Sequence, residues 1–164
     1  MSDSKSVNKM TNTVLSLTDW MKLSTLRESI VCLKPLILID GVAGSGKTTL
    51  ATKLADIFNA NIVNSDDLCW GADPIHWDAE MLTGIVNPWI NGNDIAYKPT
   101  GWIKENRPGS IDVDSNKALV IEGMGASRKT LRSIATYSIW VDAESEIAWE
   151  RVVHQDLGNG ELAQ

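Results

Sequence analysis

An α/β fold with a parallel central sheet flanked by helices is the class this sequence predicts, and three observations predict it. Leu36 to Ile39 form a continuous apolar run of the kind that fills a parallel strand buried on both faces. A glycine-rich loop follows at once, and behind it comes an apolar pattern at helical spacing. Ala118 to Ile121 and Tyr137 to Val141 supply further strand-like runs, separated from the first by helical and irregular stretches.

The loop is the most informative element. Residues Gly41, Val42, Ala43, Gly44, Ser45, Gly46, Lys47 and Thr48 fit G-x-x-x-x-G-K-[ST], with Thr49 behind them. Glycine tolerates backbone angles and close approaches that a Cβ forbids, so successive N–H groups can turn inward and cup phosphate oxygens. A helix starting near Lys47 adds its positive end at the same spot. Lys47 can reach the β- and γ-phosphates as a mobile charge, and the Thr48 hydroxyl suits a Mg²⁺ ion that keeps most of its water. Strand, loop and helix in this order predict a P-loop nucleoside triphosphate hydrolase fold, with a nucleoside triphosphate and Mg²⁺ as the implied cofactors.

Size and composition are compatible with that prediction. The 164 residues suit one domain, 43% of them hydrophobic and 22% charged. A formal net charge of −6 without a long basic run argues against nucleic acid or an anionic membrane as partner. Phosphate must then be held by local donors. Cys32 and Cys69 form neither a C-x-x-C nor a zinc pattern, which predicts two reduced thiols in a cytoplasmic protein. No signal peptide or membrane span is indicated.

Taken in order, residues 1–17 are polar and are expected to fray, leaving 18–164 as a single domain. Trp20, Leu23, Leu26 and Ile30 recur at helical intervals and predict an amphipathic helix ending before Pro35. After the loop, Leu50, Leu54, Ile57 and Phe58 give the inward face of a helix ending near Asn59 to Asn61. Ile62 to Ser65 then read as a strand with Asp66 and Asp67 at its carboxyl end, the end that faces the ligand crevice in open parallel sheets. Asp66 is a candidate base for an incoming hydroxyl. Asp67 is a candidate to orient water on Mg²⁺, or simply to cap the following turn.

Residues 68–115 change in character, carrying Trp70, Trp77, Trp89 and Trp102 among glycines and prolines. A helix from Trp77 to Trp89, interrupted by Pro88, and a short strand near Ile95 to Tyr97 are predicted within a mostly irregular insert. Tyr97 and Trp102 suit stacking on a planar or sugar-like acceptor, and a small satellite core is the alternative use of these rings. The run Ala118 to Glu122 is a strand whose terminal carboxylate would sit beside the loop and hold Mg²⁺ through water. Arg128, Lys129 and Arg132 fall on a helix, Tyr137 to Val141 on a strand, and Asp142 to Asp156 on a last helix. Four strands leave an exposed sheet edge, for which a homo-oligomer contact or the N-terminal helix is a candidate cover.

These residues together resemble the uridine kinase family of P-loop kinases, in particular its bacterial uridine kinase-like members. The likeness runs over roughly residues 36–158: Ile39-Asp40-Gly41 entering the loop, Ser65-Asp66-Asp67-Leu68 after the second strand, Gly71 beside Trp70, Val120 to Ala126, and Ile139 to Asp142 before the helix of Arg151. The resemblance implies transfer of the γ-phosphoryl of ATP to a hydroxyl of a small molecule, most simply a nucleoside. Asp66 would be the base, Lys47 and Arg151 would act on the phosphates, and Thr48 and Glu122 would serve the metal. Three features depart from the pattern. Tyr97 to Trp102 lacks the carboxylate that often precedes the tryptophan, His154 stands where a second arginine is usual, and related chains continue into another helix and strand, so the resemblance leads to the expectation of a C-terminally shortened member. The alternative function is an ATP-binding regulatory module with little or no kinase activity.

Overall fold

The computed structural model describes residues 32–71 and 75–159, with side chains to 154. The expected N-terminal helix and the polar segment before it lie outside the described residues. Strand β1 (Leu36–Gly41) is buried along its whole length. It is followed by α1 (Lys47–Phe58), β2 (Ala60–Asn64) and the short α2 (Ser65–Cys69). The insert contributes α3 (Trp77–Met81), a π-helical turn (Leu82–Val86), α4 (Asn87–Ile90), β3 (Ile95–Tyr97), α5 (Thr100–Lys104) and β4 (Ile111–Val113). The chain closes with β5 (Ala118–Glu122), α6 (Lys129–Arg132), β6 (Tyr137–Val141) and α7 (Ser145–Asn159).

Four strands form one parallel sheet in the order β2-β5-β1-β6, and β3 pairs with β4 as a separate antiparallel ribbon. β1 is therefore flanked on both sides, with Leu36 opposite Leu119 and Ile37 opposite Tyr137. That position explains why its sequence is continuously apolar rather than alternating. Its side chains still alternate between two cores. Ile37 and Ile39 meet Val120, Val141 and the Leu50, Ala51 and Leu54 face of α1. Leu36 and Leu38 meet Leu119, Ile121 and the insert residues Trp77, Met81, Ile85, Trp89 and Trp102. The tryptophans that sequence reading left open between a stacking surface and a satellite core are thus, for these three, part of the main core on one face of the sheet.

Local differences from the expected elements have local causes. The second strand stops at Asn64 rather than Ser65, because the Asn64 side chain accepts the Asp66 N–H at 2.8 Å and caps α2. The irregularity near Pro88 falls before the proline instead of at it. Pro88 has no N–H for the Gly84 carbonyl, and the helix ladder switches to a five-residue step in which the Asn87 N–H donates to the Leu82 carbonyl. The last helix begins at Ser145, three residues later than expected, and β4 was not anticipated. Both cysteines are free. Among the described residues no helix is long and apolar enough to cross a membrane. Within the described sheet β2 and β6 are the edges, and Trp140 on β6 is exposed.

The π-helical turn carries a close contact that can be tested. A Cβ on Gly84 would stand 2.5 Å from the ring of Tyr97, which is held in place because its hydroxyl donates to Glu80 at 2.8 Å. Gly84→Ala is expected to destabilise the fold by about 1–3 kcal/mol, the usual cost of forcing extra volume into a packed site, as read from urea or thermal denaturation.

Candidate phosphate-binding and transfer site

At the C-terminal rim of the sheet, β1 ends at Gly41 and the chain turns through residues 42–46 into α1. Two glycines make this path available. A Cβ on Gly41 (φ 146°) would lie 2.0 Å from the Val141 carbonyl oxygen, and one on Gly44 (φ 72°) would lie 2.2 Å from that of Ala148. The loop is wedged against β6 and α7 at distances only a hydrogen can fill. Gly46, also left-handed at φ 96°, leads into the first turn of α1, whose N–H groups have no intrahelical partners.

Above the loop lies a cavity of about 440 Å³, within the usual range for small-molecule sites. Of the loop residues, Ala43, Gly44, Gly46, Lys47, Thr48 and Thr49 line it. Gly41, Val42 and Ser45 do not. Gly41 lies under the loop, Val42 is 41% exposed, and Ser45 is fully buried with its hydroxyl unpartnered. The Lys47 ammonium donates to the Val42 carbonyl at 2.8 Å. Arg151 on α7 also lines the cavity and donates to the Gly44 carbonyl at 3.3 Å. Two cations, one from each side, therefore flank the amide cradle.

The opposite wall is acidic. Asp66 from α2 and Glu122 from the end of β5 both face the cavity, as sequence reading placed them. Glu122 is 2% exposed, and its Oε1 accepts from the Thr48 hydroxyl and from the Asn64 amide, each at 3.1 Å. Burial pushes the Glu122 carboxyl up, Thr48 and Lys47 pull it back, and Asp66 adds to the rise. Hydroxyl, amide and carboxylate oxygens are hard donors that fit Mg²⁺. Among the described residues no group of three or more His, Cys, Asp or Glu is assembled.

Three expected site residues are drawn elsewhere. Asp67 does not line the cavity; its carboxylate pairs with Arg107 at 3.1 Å, and its carbonyl accepts the Trp102 indole N–H at 2.7 Å. Successive helical residues project about 100° apart, and here that step turns Asp67 toward Arg107 while Asp66 faces the cavity. Trp102 is 6% exposed, with the Arg107 guanidinium 3.7 Å above its ring. Tyr97 packs on Gly84 and donates to Glu80, and burial together with that carboxylate holds its phenol pKa at about 12. Neither ring reaches the cavity. His154 is exposed on α7 and also does not line it.

Two polar side chains that hold the site together were missed. Asn64 lines the cavity and ties Glu122 to the cap of α2; the sequence signal was an Asn two residues before an Asp at a strand end. Asp40 is 6% exposed, and its carboxylate accepts the N–H groups of Gly41, Gly125 and Ser127 at 2.7, 2.8 and 3.0 Å. A carboxylate inside an apolar strand was the clue to it.

A buried parallel strand, a glycine loop on a helix N-terminus, a lysine and threonine behind it and an acidic strand end opposite define a P-loop nucleoside triphosphatase fold. The chain belongs to the family described as an AAA domain, whose model matches residues 37–161. Among solved structures it resembles a possible uridine kinase from Bacillus stearothermophilus, at 16% identity and a TM-score of 0.54, over 88% of this chain and 95% of that one. It also resembles a protein named provisionally as a fructose transport system kinase from Silicibacter sp. TM1040, at 17% identity and a TM-score of 0.57, over 90% and 84% of the two chains. No curated protein matches the sequence. The uridine kinase-like P-loop kinase fold expected from the motifs is borne out.

The raised Glu122 carboxyl has a measurable sign. A carboxyl whose folded pKa lies above its unfolded value destabilises the fold once ionised, so its contribution worsens as pH rises from the ordinary glutamate range through the raised value. Glu122→Gln keeps an oxygen for Thr48 and Asn64. It is expected to raise the thermal midpoint of the nucleotide-free protein at pH 8, with the gain shrinking as pH falls through that window, measured as the wild-type-minus-variant difference.

Proposed function

We propose that the protein is an ATP-dependent phosphotransferase that moves the γ-phosphoryl of ATP to a hydroxyl of a small molecule, with a nucleoside as the leading acceptor class. The observation that carries this reading is the facing of Asp66 and the Thr48–Glu122 pair across one cavity from Lys47, Arg151 and the loop amides. The loop amides and the α1 N-terminus hold the triphosphate, and Lys47 leaves the Val42 carbonyl for it. Thr48 and Glu122, supported by Asn64, would hold Mg²⁺, which when bound neutralises charge on the β- and γ-phosphates. Asp66 accepts the proton of the acceptor hydroxyl as its oxygen bonds to the γ-phosphorus. The bond from that phosphorus to the β–γ bridging oxygen breaks, and ADP leaves. Arg151 stabilises the charge spread over the transferred group.

The nucleoside assignment is supported by the motif resemblance and by the name of one structural neighbour, while the name of the other points to a sugar. Both acceptors are polyols, so the same apparatus serves either. Withdrawal of Tyr97 and Trp102 from the cavity favours a second reading, an ATP-binding regulatory module with little or no transfer.

A panel of nucleosides and sugars with ATP·Mg²⁺ separates the two, the kinase giving ADP release that depends on the acceptor and the module giving none. Asp66→Asn is expected to lower kcat by about 10²–10⁴-fold while leaving the Kd for ATP within a few fold. Lys47→Ala is expected to weaken ATP itself. In thermal-shift assays it should abolish the stabilisation that wild type shows, about 2.7 kcal/mol at a hundredfold excess over Kd.

A further inference from the structure

The turn between β5 and α6 touches two parts of the molecule that the reaction must bring together. On one side Gly123 and Met124 line the cavity, and the N–H groups of Gly125 and Ser127 are held by Asp40. One oxygen of Asp40 takes both the Gly41 and the Gly125 N–H, so a single atom joins the root of the phosphate loop to the turn. On the other side the turn leans on the insert. A Cβ at Gly125 would stand 3.6 Å from both the Trp77 ring and the Arg128 guanidinium. Arg128 lies 5.0 Å over that ring, donates to the Ile75 carbonyl and pairs with Asp78 at 3.3 Å. The second Asp78 oxygen accepts the Thr130 hydroxyl at 2.8 Å.

Packing does not ask for these carboxylates. Asp40 occupies an otherwise apolar buried strand, and burying a charge is costly unless donors surround it. Its three backbone donors meet that requirement, and what they fix is the path of the turn. Asp78 holds the far end of the same turn to the first helix of the insert, and Trp77 beside it is 3% exposed within the main core.

We infer that residues 123–128 form a strut that sets the insert in register with the triphosphate, with Asp40 and Asp78 as its positioning residues. Neither lines the cavity, and both act through the turn. The inference rests on the kinase reading only in taking nucleotide as the occupant of the loop.

Hydrogen exchange of the full chain, with and without ATP·Mg²⁺, tests it. Wild type should gain protection in residues 41–50 and, through the strut, in 77–86. Asp78→Asn should keep the first at an unchanged Kd for ATP and lose at least threefold of the second. Asp112→Asn, at the exposed position of β4, should lose neither. Asp40→Asn, which turns an amide toward one of the N–H donors, should lose the second and weaken the first. Protection of 77–86 that survives in Asp78→Asn, or wild-type protection confined to 41–50, overturns the strut alone. No protection in either segment overturns the nucleotide reading and the strut with it.

Discussion

The site depends on how closely one backbone meets another at Gly41 and Gly44. With a carbonyl oxygen from β6 and another from α7 pressed to within 2.0 and 2.2 Å of where a Cβ would sit, the loop has no room for any side chain at either position. That crowding limits both positions to glycine and with it the path the loop can take. It also places α7, and with it Arg151, directly on the cradle. The cavity, its two cations and its acidic wall are all measured from a loop whose path those contacts decide.

The acidic wall has its own logic. Glu122, Thr48 and Asn64 come from three elements, yet a single carboxylate oxygen collects both neighbours. The remaining oxygen of Glu122 and the whole Asp66 carboxylate are then left for ligands. Burial raises the energy of the ionised Glu122 in the nucleotide-free protein, and a divalent cation held there as proposed would relieve the same strain. The arrangement is less comfortable alone than loaded, a common property of sites built to bind.

Much of this was legible in the sequence, for a physical reason. β1 and β5 stand out because a strand buried on both faces must be apolar at every position, and the phosphate loop because its geometry is local and needs glycine and lysine at fixed spacing. Asp66 and Glu122 followed from their places at strand ends. What escaped depends on contacts between distant residues. Asp40 meets Gly125 85 residues away and Asn64 meets Glu122 58 residues away, and no window of sequence holds both partners. Tyr97 and Trp102 had the chemistry of an acceptor platform. Their directions were set by Glu80, by Gly84 and by the Asp67 carbonyl, through packing that local pattern does not encode.

The ammonium of Lys47, resting on the Val42 carbonyl, has a consequence for selectivity. A ligand gains from this lysine only the difference between a charged acceptor and the neutral one already in hand, a Coulombic difference that grows with the negative charge on the acceptor. A weakly anionic tail therefore wins little by displacing the carbonyl, and a densely charged polyanion wins much. Discrimination among ligands by charge begins in a contact the chain makes with itself.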